Sequence, residues 1–157
     1  MKSLILAALV LVSANASAEG QIASLVTFES TAMRPTTAEG DTNITSITSA
    51  SLEYTLPENI SFYGGMSFIL GETFENALTL GSRYYSSAPA LQIIPGVPMW
   101  SYIGGGVSFF DDTVYYPEAG FRIAISNASR IDVYVRVLNS SNETYDKHVM
   151  IGAGLTF

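Results

Sequence analysis

The last nine residues, Val149-Met150-Ile151-Gly152-Ala153-Gly154-Leu155-Thr156-Phe157, decide how this chain is to be read. Successive side chains of a strand point to opposite faces, so Val149, Ile151, Ala153, Leu155 and Phe157 share one face. Met150, Gly152, Gly154 and Thr156 share the other, in phase with His148. The pattern repeats upstream: Ile131, Val133, Val135 and Val137 oppose Asp132, Tyr134 and Arg136, and Phe121, Ile123 and Ile125 oppose Gly120, Arg122 and Ala124. Leu78, Leu80 and Tyr84 oppose Thr79, Gly81 and Arg83; Ile60, Phe62, Met66 and Phe68 oppose Ser61, Tyr63 and Ser67; Ala50, Leu52 and Tyr54 oppose Ser49, Ser51 and Glu53.

Alternation and turn signals together predict eight strands, at 21–29, 44–55, 60–69, 77–85, 99–110, 118–125, 131–138 and 147–157. The connections alternate in character. Leu56–Asn59 and Ser126–Arg130 are tight turns, whereas 30–43, 70–76, 111–117 and 139–146 are more acidic and often longer. Segment 86–98, with Pro89, Pro95 and Pro98, falls in the tight-turn series as a long connection. The expected fold is all-β: an eight-stranded antiparallel up-and-down transmembrane β-barrel. A crossing needs ~9–11 tilted residues, and eight strands make the smallest bacterial barrel.

Composition narrows the setting. Of 157 residues, 48% are hydrophobic and only 13% charged, against the ~25% usual in soluble domains. Seven Lys and Arg against fourteen Asp and Glu give a net charge of −7, which excludes a nucleic-acid partner for want of a basic face. Without cysteine there is no disulfide scaffold, thiolate metal site or cysteine nucleophile, and a single histidine excludes most catalytic zinc sets. Neither a metal nor a cofactor is expected. Lys2, the apolar run Leu4–Val12 and the small-x-small triplet Ala16-Ser17-Ala18 form a secretory signal at 1–18, cut before Glu19, which leaves 19–157 as one barrel domain.

Two barrels could produce this alternation. A soluble lipocalin-type barrel points its apolar set inward; a membrane barrel inverts it. The mixed face of Gly, Ser, Thr, Tyr and a few charges is too poor in charge for a solvated exterior. It suits a narrow interior filled by side chains. An arginine facing lipid near mid-bilayer costs ~2–4 kcal/mol, so Arg83, Arg122 and Arg136 are expected inward. Glu29, Glu53, Asp132 and His148 share their phase. Glu53, Arg83 and Asp132 fall toward the tight-turn end; Glu29, Arg136 and His148 fall toward the other. An interior ion-pair network and a set of separately solvated lumen charges both satisfy the pattern.

The C-terminal series Val149, Ile151, Ala153, Leu155 and Phe157 resembles the assembly signal of bacterial outer-membrane β-barrels, and Tyr102-Ile103-Gly104-Gly105-Gly106-Val107 resembles the glycine strand of the small eight-stranded ones. That family includes the OmpA transmembrane domain and the OmpX/Ail-like proteins. The resemblance implies insertion into the Gram-negative outer membrane by the barrel-assembly machinery, with both termini periplasmic and the acidic connections outside. It implies outer-membrane lipids and lipopolysaccharide as surroundings, and a monomer is the expected state. Three of the four outer loops are short, a departure from the adhesive members, and a peptidoglycan-binding domain like that of full-length OmpA is not expected after the barrel.

Enzymes exist among small outer-membrane barrels. Ser126-Asn127 is similar to half of the His-x-Ser-Asn element of lipid A deacylases, but Ala124 stands at the histidine position. His148 is the one candidate for a palmitoyltransferase-type histidine, with no Ser-Asp pair evident beside it. No catalytic residue is therefore expected. Asp111-Asp112, among the acidic residues Glu39, Asp41, Glu72, Glu75, Glu143 and Asp146, presents oxygens suited to a hard cation or simply an acidic surface. Tyr54, Tyr84, Trp100, Phe109 and Tyr115 stand at strand ends, where interfacial aromatics gather. The expected role is structural: a non-enzymatic envelope component that supports outer-membrane integrity, with scope for surface interaction. The alternatives are a narrow porin-like channel for small solutes and a lipid A-modifying enzyme.

Overall fold

The computed structural model of the protein describes residues 20–34, 44, 46–70, 74–126 and 128–157. The expected export signal at 1–18 lies outside the described residues, as do Glu39, Asp41, Glu72 and Asn127. Ten strands follow one another: β1 (Gln21–Met33), β2 (Ser46–Thr55), β3 (Ile60–Leu70), β4 (Glu75–Tyr85), β5 (Leu91–Ile94), β6 (Val97–Phe109), β7 (Thr113–Ala124), β8 (Arg130–Val137), β9 (Asn139–Ser140) and β10 (Val149–Thr156). Eight of them, β1, β2, β3, β4, β6, β7, β8 and β10, pair antiparallel in that order, and β10 returns to β1 to close an eight-stranded barrel. At the seam the register runs from Leu25 opposite Thr156 to Thr31 opposite Met150.

The tight turns form as expected. Leu56 N–H donates to Ile60 O, and Asn59 takes a left-handed φ of 63°, a conformation asparagine tolerates better than most residues. Ser126 Oγ accepts the N–H groups of Ala128 and Ser129 and holds the 126–129 turn.

Several boundaries differ from expectation, two of them with consequences for the wall. Segment 86–98 is a hairpin rather than a plain connection. Leu91 pairs with Met99 and Ile94 with Val97 across Pro95-Gly96, where Gly96 at φ 79° supplies the turn. Strand β7 begins at Thr113, five residues before the expected start, and runs through Pro117. Proline removes a ladder donor. The ladder to the next strand breaks there, between Glu118 opposite Arg136 and Tyr115 opposite Asn139, so that donor is not needed on that side.

The aliphatic rows face outward. Val133 and Val135 are each 44% exposed and Ile151 53%, while Arg83 is 1% exposed and Arg122 and Arg136 are buried. Ile103, Leu80, Phe62 and Phe28 continue the outer apolar surface around the wall. Inside, five tyrosines (Tyr63, Tyr85, Tyr102, Tyr116 and Tyr134) fill the cross-section. Glycines make room for them: a Cβ on Gly152 would overlap the Tyr134 ring, one on Gly81 the Tyr63 ring, and one on Gly106 the Tyr116 ring. A small barrel holds large side chains only beside small ones.

The acidic-loop end is sealed by an apolar cluster of Ile44, Ile47, Ile69, Val114, Leu138 and Met150, with Tyr145 from the loop between β9 and β10 packed onto it. Phe110 stacks on Tyr145 at 5.7 Å, and Tyr145 Oη donates to Glu75 Oε2 at 2.5 Å. Burial and that bond push the Tyr145 phenol above its usual range. Asp146 accepts the Ser140 backbone N–H at 3.2 Å, and this bond holds its carboxyl below the usual range.

Candidate functional site

The lumen holds the charged constellation. Parity places each member: Glu29 on β1, Glu53 on β2, Arg83 on β4, Glu118 and Arg122 on β7, and Asp132 and Arg136 on β8 all point to the axis and are buried. Near the tight-turn end, Arg122 donates through Nε to Asp132 Oδ1 at 2.6 Å and through Nη2 to Asp132 Oδ2 at 2.7 Å and Glu53 Oε2 at 2.9 Å. Glu53 also accepts Ser61 Oγ at 2.8 Å and Tyr85 Oη at 2.9 Å. Arg83 joins this group through Nη1 to Asp132 Oδ2 at 2.9 Å.

Arg83 also reaches the other way, through Nε to Glu118 Oε1 at 2.6 Å. Glu118 Oε2 accepts Arg136 Nε at 2.5 Å, and Arg136 Nη1 donates to Glu29, which accepts Tyr134 Oη as well. The result is one unbroken chain of alternating charge, Glu53–Arg122–Asp132–Arg83–Glu118–Arg136–Glu29. Of the two arrangements compatible with the sequence, the ion-pair network is the one formed.

Aromatic faces complete the environment. Arg83 lies over the rings of Tyr63 and Tyr102 at 4.9 and 5.0 Å, Arg122 over Tyr85 at 4.5 Å, and Arg136 over Tyr116 at 4.3 Å. Arg83 Nη2 has no hydrogen-bond partner, and the neighbouring π-faces supply part of the missing stabilisation. Between network and apolar seal, a row of hydroxyls crosses four strands: Ser49 to Ser67 at 2.7 Å, Ser67 to Thr79 at 2.7 Å and Thr79 to Ser108 at 2.8 Å. Buried ions repay their desolvation only when the pairing geometry is good and further hydrogen bonds meet the remaining polar atoms; here Arg83 Nη2 and Glu29 Oε2 stay without a hydrogen-bond partner.

Two expected positions are corrected. His148 points inward but stands apart from the ion pairs: its Nδ1 lies 3.0 Å from the Asp146 carbonyl oxygen, within its own loop. The cause is local. Lys147 takes a left-handed φ of 56°, and Leu138 and His148 close the loop through backbone bonds, so β10 starts at Val149 rather than 147. Trp100 shares the inward phase of Tyr102 and lines the tight-turn mouth rather than the outer rim. Tyr54, Tyr84, Phe109 and Tyr115 are on the exterior as expected.

Glu118, the central link, is absent from the network expected from the sequence, although it opens the expected strand 118–125. The signal that would have found it is phase, since Glu118, Gly120 and Arg122 alternate on one face. In the loops, Asp112 accepts a bond from Asn142 Nδ2 at 2.6 Å, and no group of three or more metal-capable side chains occurs among the described residues. No protein-family model and no curated protein sequence matches the chain.

Proposed function

We propose that this is a non-enzymatic integral protein of the bacterial outer membrane, a plugged barrel whose role is structural support of the envelope, with its acidic loops presented at the cell surface. The observation that carries the reading is the inversion of polarity. The wall exposes Phe28, Phe62, Leu80, Ile103, Val133 and Ile151, while four carboxylates and three guanidiniums are buried on the axis. A soluble monomer rarely shows contiguous apolar surface beyond a few hundred Å². Acyl chains satisfy such a surface at no cost. The eight barrel strands, eight to thirteen residues long, suit the ~9–11 residues of a tilted crossing.

Other features support the same reading. The aromatic exteriors of Tyr54 and Tyr84 at one rim and Phe109 and Tyr115 at the other fit two interfacial belts. The C-terminal row of Ile151, Ala153, Leu155 and Phe157 is exposed on the wall, where an assembly factor can read it. The filled lumen, tied from Glu53 to Glu29 and sealed above by apolar side chains, favours a plug over a channel. His148 is bonded within its own loop, away from any acyl substrate on the wall, which favours a structural role over lipid A chemistry.

The test is membrane fractionation combined with heat-dependent gel migration. An outer-membrane protein that migrates differently before and after boiling supports the proposal. A heat-insensitive protein recovered from the periplasm refutes it.

A further inference from the structure

At the tight-turn end the lumen opens into a cavity of about 310 Å³, lined among others by Thr55, Asn59, Ser86, Trp100, Arg122 and Arg130. This volume is at the lower edge of small-molecule sites, which run ~300–1,000 Å³. Three observations say what it would hold. Arg130 donates to a neutral partner, Gln21 Oε1, at 2.9 Å, whereas Arg83, Arg122 and Arg136 each hold carboxylates. Arg122 makes its carboxylate bonds through Nε and Nη2, which leaves Nη1 for another acceptor. Ser86 Oγ is buried without a hydrogen-bond partner, a costly state unless something satisfies it.

We propose that this cavity binds a small carboxylated sugar. The Arg130 guanidinium pairs with the carboxylate, with Arg122 Nη1 beside it. The Trp100 indole offers a flat apolar wall to the C–H face of a sugar ring. Ser86, Thr55 and Asn59 meet ring hydroxyls, Ser86 gaining the partner it lacks. The charge balance sets the valence. Arg122 already faces the carboxylates of Glu53 and Asp132, so Arg130, bonded to the neutral Gln21, is the cation lining the cavity that is left for an incoming anion, and it matches one negative charge rather than the two of a phosphate ester.

Trp100 is the single tryptophan of the chain, so its emission reports on this cavity alone. The folded protein in detergent micelles is titrated with glucuronate, glucose, acetate and glucose 6-phosphate, following Trp100 emission and binding heat in parallel. The expected result is saturable binding of glucuronate at least tenfold tighter than of the other three. Arg130→Gln, with heat-dependent migration retained to show that the barrel is formed, weakens glucuronate about tenfold or more, as loss of a charged hydrogen bond requires. Neither heat nor emission change with glucuronate overturns the proposal. Acetate binding as tightly as glucuronate overturns the ring-recognition part and leaves a bare anion site, and an unchanged affinity in Arg130→Gln removes the assigned carboxylate partner.

Discussion

Replacing Glu118 by glutamine exchanges one oxygen for an amide nitrogen and removes one charge from the middle of the lumen chain. Glu118 accepts Arg83 Nε at 2.6 Å and Arg136 Nε at 2.5 Å, one on each carboxylate oxygen, and all three side chains are buried. A glutamine can keep one of those bonds, but its NH₂ then faces an arginine N–H on the other side. Removing one partner of a buried ion pair costs ~3–5 kcal/mol. Each arginine keeps a second carboxylate, Asp132 for Arg83 and Glu29 for Arg136, so the low end applies, about 3 kcal/mol. That is a large share of the ~5–15 kcal/mol that holds an ordinary domain together. Equilibrium urea unfolding in phospholipid vesicles, read by Trp100 emission, should show a lower midpoint with an unchanged slope. A double-mutant cycle with Arg136→Gln should return a coupling of ~0.5–3 kcal/mol. A midpoint equal to that of the parent, or zero coupling, would refute the buried-network reasoning.

Gly152→Leu should prevent closure, because even a Cβ there overlaps the Tyr134 ring; heat-dependent migration is lost, and Tyr134→Ala in the same chain should restore part of it. A parent-like Gly152→Leu would show that the ring is not seated there. The Asp146 carboxyl has a depressed value in the folded loop, so its contribution is present at neutral pH and is lost as pH falls through that value. The protection of the Ser140 amide against exchange, taken relative to the unstructured-chain rate at each pH, should fall selectively on acidification, and Asp146→Asn should remove that loss. Phe157→Ala should lower the yield of outer-membrane barrel in cells while leaving the refolded protein's unfolding midpoint nearly unchanged, since Phe157 is exposed on the wall. An unchanged cellular yield would count against its role as an assembly signal.

Phase was legible in the sequence because strand geometry is binary: once Val133 and Val135 are outside, Asp132, Tyr134 and Arg136 must be inside. The inward arginines and their partners Glu29, Glu53 and Asp132 follow from that rule and from the scarcity of charge. Register was not legible, since it depends on the relative shear of neighbouring strands, and only register brings Arg83 between Asp132 and Glu118. Strand ends are less legible, because local chemistry gives a false stop. Pro117 has the signature of a breaker yet sits in β7 beside a gap in the ladder, and of the prolines of 86–98 one precedes a hairpin, Pro95 stands in its turn and Pro98 lies in β6. For His148 parity fixes the direction of the side chain but not the partner its ring finds, the Asp146 carbonyl of the adjoining turn.

The seam between β1 and β10 joins the beginning of the barrel to its end, with most of the chain lying between Leu25 and Thr156. Loop-closure entropy makes such a long-range contact slow to form. Until then two strand edges stay unsatisfied, each a template for pairing with a stranger. A polypeptide interrupted anywhere before its final residues can never complete the ring. The architecture thereby inspects its own synthesis: only a finished molecule loses its sticky margins.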